Sequence, residues 1–275
     1  MGKQAQNNAL KVKQFYDDNT SKFLAVYGNI IQAFRTVNIE DYLNYTIQSA
    51  GIKPGMRLLD AGCGVCGPAI YFANTIQQLS IEACTVSEVQ FEIAQKEVIE
   101  KGLSTSVKVH QLDYHQLDKH FASASFDMIY FLESFGHSNQ KEHLINTCWN
   151  ILKPGGKLYI KDLFKRLSND EWEQLRIDEI CSEINYAYEY EIADLSELLV
   201  MLRSKGFELK VIKVPEIEMS NFERLSISND FQNLFNIGKI DSWDNYIFPI
   251  DFFEIILVKP TDLTFATRHL YSLNK

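Results

Sequence analysis

Leu58-Leu59-Asp60-Ala61-Gly62-Cys63-Gly64-Val65-Cys66-Gly67-Pro68 decides the fold class of this chain. Its apolar start predicts a short buried strand, the acid ends that strand, and the spaced glycines predict a tight turn ahead of a helix. Glycine carries no Cβ, so the backbone there can come very close to a bound small molecule. Asp60 sets a carboxylate beside that approach.

Upstream, residues 1–50 read as helical: Phe23, Val26, Ile30, Ile31 and Phe34, then Ile39, Leu43 and Ile47, recur at helical intervals until Pro54-Gly55 breaks the pattern. Downstream, helix and strand alternate. A helix is predicted over about 67–79, a strand over 81–86, and a helix from Ser87 to Gly102. A strand at 106–112 is closed by Asp113, and 126–132 is a continuous apolar strand of the kind buried on both faces. Asn139 is expected to cap a helix ending near Leu152, Pro154-Gly155-Gly156 to turn the chain, and 157–163 to form a fifth strand. Such alternation predicts an α/β fold with a parallel sheet and helices on both faces. Residues 168–206 read as helical, and 207–214 and 252–258 as two closing strands. Between those strands lies an aromatic stretch with Phe222, Phe231, Phe235, Trp243, Tyr246 and Phe248. The chain thus divides, as one domain, into a helical cap (1–50), a core (51–165), a second helical cap (166–206) and a closing segment (207–275).

With 275 residues, 13 tyrosines and 18 phenylalanines, the chain can bury a full hydrophobic core. Its net charge of −9, without a Lys/Arg cluster, argues against a nucleic-acid partner. No apolar run suits a signal peptide or a membrane span. Five cysteines without disulfide-framework spacing fit a reducing cytoplasm. Cys63 and Cys66 lack the second ligand pair that a zinc site needs nearby, so no metal is expected and the pair reads as small residues in a tight turn.

Gly62, Gly64 and Gly67 satisfy the dinucleotide pattern G-x-G-x-x-G, with Glu88 about twenty residues on. Three features favour S-adenosylmethionine instead. Asp60 would repel a pyrophosphate but suits a cationic amino-acid moiety. Asp113 ends the third strand, where a carboxylate can accept from an adenine amino group. Leu152-Lys153-Pro154-Gly155-Gly156 precedes a strand containing Asp162, which puts acids at the carboxyl ends of strands one, three and five. Those ends line the crevice where open α/β sheets bind ligands.

At this point the chain resembles the class I S-adenosylmethionine-dependent methyltransferases. The likeness is nearest to the group holding sterol, tocopherol, terpene and cyclopropane-forming enzymes and natural-product O-methyltransferases, including those of peptide toxins of the microcystin type. Asp60–Pro68 resembles the group's glycine motif, except that Cys66 replaces a glycine. Thr85-Val86-Ser87-Glu88-Val89-Gln90 resembles its second motif, and Glu133-Ser134-Phe135-Gly136-His137 its fourth-strand motif; the likeness spans roughly 51–165. It implies a Rossmann-like, mostly parallel sheet with an antiparallel last strand. It also implies cofactor contacts from Asp60, Gly62, Gly64, Thr85, Gln90 and Asp113. Ser87-x-x-Gln90 is equally a capping box, which needs no ligand.

The resemblance further implies a histidine after strand four and an aspartate after strand five working at an acceptor hydroxyl, here His137 and Asp162. Which of them takes the proton stays open, because Gly136 stands where related enzymes often carry another histidine. Glu133 is expected to orient cofactor or acceptor. Tyr16 and Tyr27, in the helical amino-terminal segment, either close over the site or, as is more common for such residues, simply pack. The expected function is methyl transfer to a hydroxyl of a bulky hydrophobic polyketide or peptide product. Carbon methylation of an isoprenoid or sterol is the alternative. A non-catalytic cofactor binder and an NAD-dependent oxidoreductase are the rivals from other classes.

Overall fold

The computed structural model describes residues 2–30, 38–217 and 247–262. Among the described residues there are seven strands, β1 (Arg57–Ala61), β2 (Ser80–Thr85), β3 (Val107–Gln111), β4 (Phe126–Leu132), β5 (Leu152–Lys165), β6 (Glu208–Lys213) and β7 (Ile250–Val258). They form one sheet in the order β3-β2-β1-β4-β5-β7-β6. Every pair from β3 to β5 is parallel, and β7 runs antiparallel to both β5 and β6. The expected Rossmann-like class I sheet is therefore the observed one, with its last strand reversed.

The helices are α1 (Gly2–Tyr27), α2 (Ile39–Ala50), α3 (Gly67–Thr75), α4 (Glu88–Glu100), α5 (Leu117–His120), α6 (Lys141–Ile151), α7 (Glu171–Tyr188) and α8 (Leu195–Lys205). Side chains alternate across the central strands, and this builds a separate core on each face. Leu58, Met128 and Tyr130 pack with Leu43 and Ile47 of α2, Ile70 and Phe72 of α3, and Val98 of α4. Leu59, Ile129 and Phe131 face the other way, toward Leu144, Ile145 and Ile151 of α6 and Leu198 and Leu202 of α8. Leu58 and Leu59 are fully buried, which is worth about 2 kcal/mol each. A buried carboxylate pins α2 to the sheet: Glu254 accepts from Tyr45 and Tyr159 at 2.6 Å and from Ser49 at 2.7 Å. Burial alone would raise Glu254, but these donors and Lys213 hold it below the usual carboxylate range.

Two local expectations need correction. Asn139 does not cap α6. Gln140 holds the cap position without a side-chain bond, while Ser138 Oγ accepts from the Gln140 amide at 3.1 Å. The Pro154-Gly155-Gly156 turn is absorbed into β5, because its backbone finds strand-like partners beyond β7: Gly155 N donates to Lys259 O at 2.7 Å and Lys259 N to Gly156 O at 2.9 Å. Of the aromatic stretch, Phe222, Phe231, Phe235, Trp243 and Tyr246 lie outside the described residues. No helix among the described residues is long and apolar enough to cross a membrane.

From β1 the sheet grows one way through β2 and β3 and the other way through β4 and β5. The strand order reverses between β1 and β4, and the carboxyl ends there splay apart to leave a crevice.

Candidate active site

The crevice is a cleft of about 900 Å³ of non-atom space, partly open to solvent. Asp60, Gly62, Gly64, Thr85, Gln90, Asp113, Glu133 and His137 all line it. So do Asn8, Ala9, Val12 and Tyr16, because α1 crosses over its mouth.

The glycine turn is built by backbone. Gly62 N and Cys63 N both donate to Cys84 O, at 3.0 and 2.9 Å, folding the chain back toward β2. Gly62 has φ +94°, and a Cβ there would stand 2.5 Å from Ser134 Cβ. Gly64 also has positive φ, +53°, but a Cβ on it would meet nothing within 4 Å. Cys66, the departure from the glycine motif, adopts φ 65°, the left-handed region where a side chain costs roughly 1–2 kcal/mol.

Asp60 is 2% exposed, and its Oδ2 has no hydrogen-bond partner. Burial pushes its carboxyl up to about 7, with the neighbouring Tyr130 hydroxyl working against the rise. An orphaned buried carboxylate on a cleft wall suits a cationic ligand group, whose arrival would satisfy it.

The second and third motifs are held by short-range bonds. Ser87 Oγ accepts from Gln90 N at 3.1 Å and caps α4, but the reciprocal half of the capping box does not form, because Ser87 N donates to Thr85 Oγ1 at 3.2 Å instead. Thr85 Oγ1 donates to Gln90 Oε1 at 2.8 Å, which fixes the buried amide at the cleft wall. Glu88 is exposed and pairs with Lys13. Asp113 Oδ1 accepts from the His115 amide at 2.9 Å and from His115 Nδ1 at 2.7 Å. Burial would raise Asp113, but the bonds to His115 hold it below the ordinary range.

At the end of β4, Glu133 takes φ 56°, and Ser134 Oγ donates to Ala61 O at 2.5 Å, tying this turn to the glycine turn. His137 Nδ1 donates to Glu189 O at 3.0 Å, and this leaves Nε2 as an acceptor. The Tyr16 hydroxyl sits 2.8 Å from Nε2 and therefore donates to it. Burial pushes the imidazole down to about 4, assisted by the nearby Lys141 ammonium and opposed by the Glu189 carbonyl.

Asp162 was expected to open into the same crevice as His137. It is instead fully covered and does not line the cleft. Its Oδ1 accepts from Tyr190 Oη and from Leu163 N, and its Oδ2 accepts from Gly136 N at 3.2 Å. Burial raises its carboxyl, and those donors oppose the rise. Tyr16 does close over the site, whereas Tyr27 packs against Phe23 with ring centroids 6.2 Å apart.

Four further residues were missed from sequence. His115 lines the cleft and bridges Asp113 to Ser138 Oγ at 2.7 Å. Asn8 Nδ2 donates to His137 O at 3.0 Å. Asp17 Oδ1 accepts from Ser87 Oγ at 2.6 Å and Val89 N at 3.3 Å, capping α4 from α1. Tyr190 packs on His137 with centroids 4.4 Å apart. Only Asp113-x-His115 carries a local signal, an Asx turn that opens a short helix.

Sterol 24-C-methyltransferase erg-4 of Neurospora crassa is 29% identical over 171 residues, covering 60% of this chain and 43% of the relative. O-methyltransferase rstn1 of Aspergillus nomiae is 36% identical over 110 residues, covering 40% of this chain and 48% of the relative. The chain thus spans less than half the length of these relatives. The crystal structure of the [4+2]-cyclase SpnF superposes with a TM-score of 0.72 at 21% identity, covering 92% of this chain and 97% of that one, and so shares the fold. The family model for mycolic acid cyclopropane synthetase matches residues 16–188, which include the glycine turn, the capped Thr85–Gln90 segment and the Glu133–His137 turn. The chain accordingly belongs to the mycolic acid cyclopropane synthetase family, among the class I S-adenosylmethionine-dependent small-molecule methyltransferases.

Proposed function

We propose that this chain moves the methyl group of S-adenosylmethionine to a hydroxyl of a bulky, largely apolar natural product of polyketide or peptide type, in the cytoplasm. One observation carries the choice of oxygen over carbon: a neutral, buried His137 presents Nε2 as an acceptor at the cleft, where Tyr16 now donates to it.

The residues present fit the cofactor. The orphaned Asp60 carboxylate suits the methionyl ammonium, and Gly62 and Gly64 let backbone amides approach it. Gln90, steadied by Thr85, is placed for the ribose, and Asp113, oriented by His115, for the adenine amino group. When bound, S-adenosylmethionine supplies an electrophilic sulfonium methyl.

The protein's part is alignment and proton handling. An acceptor hydroxyl that displaces the Tyr16 hydroxyl would meet His137 Nε2 directly. As the carbon–oxygen bond forms, the oxygen becomes strongly acidic, so even an imidazole held near 4 takes its proton. The Glu189 carbonyl then steadies the imidazolium through Nδ1–H.

Glu133 supports a second reading. Its carboxylate lines the cleft from a strained backbone position, where it could face the cation formed when an alkene is methylated. That reading makes the product an isoprenoid or sterol with a new carbon–carbon bond.

The test is incubation of the protein with metabolite extracts and isotopically labelled S-adenosylmethionine, followed by mass spectrometry and carbon NMR of the labelled product. An O-methyl ether is expected. A labelled methyl on carbon would transfer the assignment to Glu133. Cofactor binding with no labelled product from any extract would leave a binding protein. NAD binding without a response to S-adenosylhomocysteine would remove the cofactor assignment itself.

A further inference from the structure

The turn that follows α7 grips the Gly136–His137 backbone and side chains at three points. Glu189, left-handed at φ 48°, offers its carbonyl to His137 Nδ1 at 3.0 Å. Glu191 N donates to Gly136 O at 2.7 Å. Between them Tyr190 lays its ring edge-on to the His137 imidazole and donates its hydroxyl to Asp162. A Cβ built on Gly136 would fall 1.9 Å from Tyr190 Cε1, so the ring occupies the volume a side chain at 136 would need. These partners are brought together from separate elements: His137 and Glu189 are 52 residues apart in sequence.

We infer that Tyr190 is the positioning residue of the His137 base, holding the imidazole with Nε2 toward the cleft, and that Asp162 serves as its buried anchor. This rests on the proposed role of His137. Tyr190 does not line the cleft, so it acts through His137 and not on the acceptor. The anchor is strong because the phenol donates to a buried carboxylate, itself held in place by the Leu163 and Gly136 amides. The ring also helps to keep water from His137. Around the imidazole stand Tyr16 from α1, Lys141 from α6 and Tyr190 itself, while Asp162 of β5 and Glu133 after β4 act on both phenols.

The test is a pH titration of the His137 ring nitrogens by NMR in the full chain labelled with nitrogen-15, its signal assigned through His137→Gln. The wild type should show a neutral Nδ1–H imidazole titrating well below the ordinary histidine range. Tyr190→Ala should move that titration up by one unit or more toward ~6.5 and mix the tautomers, with S-adenosylhomocysteine affinity within about threefold of wild type. Tyr190→Phe keeps the ring but loses the bond to Asp162, so it should move the titration in the same direction by less than Tyr190→Ala. Unchanged titration in Tyr190→Ala, or an Nε2–H tautomer in the wild type, would overturn the inference. Gly136→Ala should lower the melting temperature alone but add no further loss in a Tyr190→Ala background; additive losses would also count against it. The role of His137 fails separately, if His137→Gln transfers methyl at the normal rate while the Tyr190→Ala titration still shifts.

Discussion

The two ends of the cleft are built by different means. At the β1–β3 end, the groups proposed to bind cofactor are held mostly by near neighbours in sequence: Ser87 caps Gln90 three residues on, Thr85 bonds Gln90 five on, and Asp113 bonds His115 two on. At the β4–β5 end, His137 is held by Tyr16, 121 residues away, by Asn8, 129 away, and by Glu189, 52 away. The first end is a property of motifs; the second exists only once α1 and the α7 turn have docked. A site whose cofactor end is locally encoded can keep its donor while the acceptor end is rebuilt by distant segments. This accords with the presence of both C- and O-methyltransferases among its relatives.

The comparison can be broken most severely at the glycine turn. Gly62→Ala drives a Cβ into Ser134, which joins the two ends, and keeps a left-handed backbone; a loss of about 3 kcal/mol in urea unfolding is expected. Gly64→Ala meets open space and should cost only the backbone strain, about 1 kcal/mol, so equal losses at the two positions would refute the reading. His137→Gln sharpens the contrast from the other end. Methyl transfer should slow on the order of a hundredfold, with S-adenosylhomocysteine affinity within about threefold by calorimetry. A large loss of affinity would mean the ends are not separable.

Next in size is the pH response of Asp60. Its carboxyl titrates at about 7 in the ligand-free chain, and a cationic ligand needs the carboxylate. Affinity for S-adenosylhomocysteine should fall about tenfold per unit below that pH and level off above it. Stability runs in the opposite sense. The unfolded chain loses this proton near ~3.9, so folding is disfavoured progressively as pH rises from there to about 7. Asp60→Asn should therefore weaken binding, flatten its pH dependence, and raise ligand-free stability at alkaline pH by about 1 kcal/mol or more. A variant that keeps wild-type affinity would place the ammonium elsewhere.

The smallest effect tests a distant contact at the locally built end. Asp17→Ala removes the bonds from α1 to Ser87 and Val89 but leaves α4 its own cap. A loss of about 1 kcal/mol in stability and a few-fold in cofactor affinity is expected from chemical denaturation and calorimetry. Fragmentation of the fold would show that α1 carries more than a lid.

Much of this molecule was legible in the chain alone. The strand-to-helix alternation, the residues at the carboxyl ends of β1, β2 and β3, and the Ser87 cap follow from hydrophobic period, glycine placement and bonds that span a few residues. Those are short-range causes, and a single sequence displays them. Asp162 could not be read this way. Its expected place at the end of the strand beside β4 pointed to the cleft, and only the packed structure extends β5 past it to Lys165 and sets Tyr190 across it. Likewise Asn8 and Asp17 acquire their partners by tertiary approach, as His115 does its second partner, Ser138. The sequence determined the fold and the cofactor end because local geometry is encoded locally. Tertiary structure alone decided which carboxylate is sealed and which imidazole nitrogen faces the cleft, because hydrogen-bond partners and burial belong to surfaces that meet only in the folded chain.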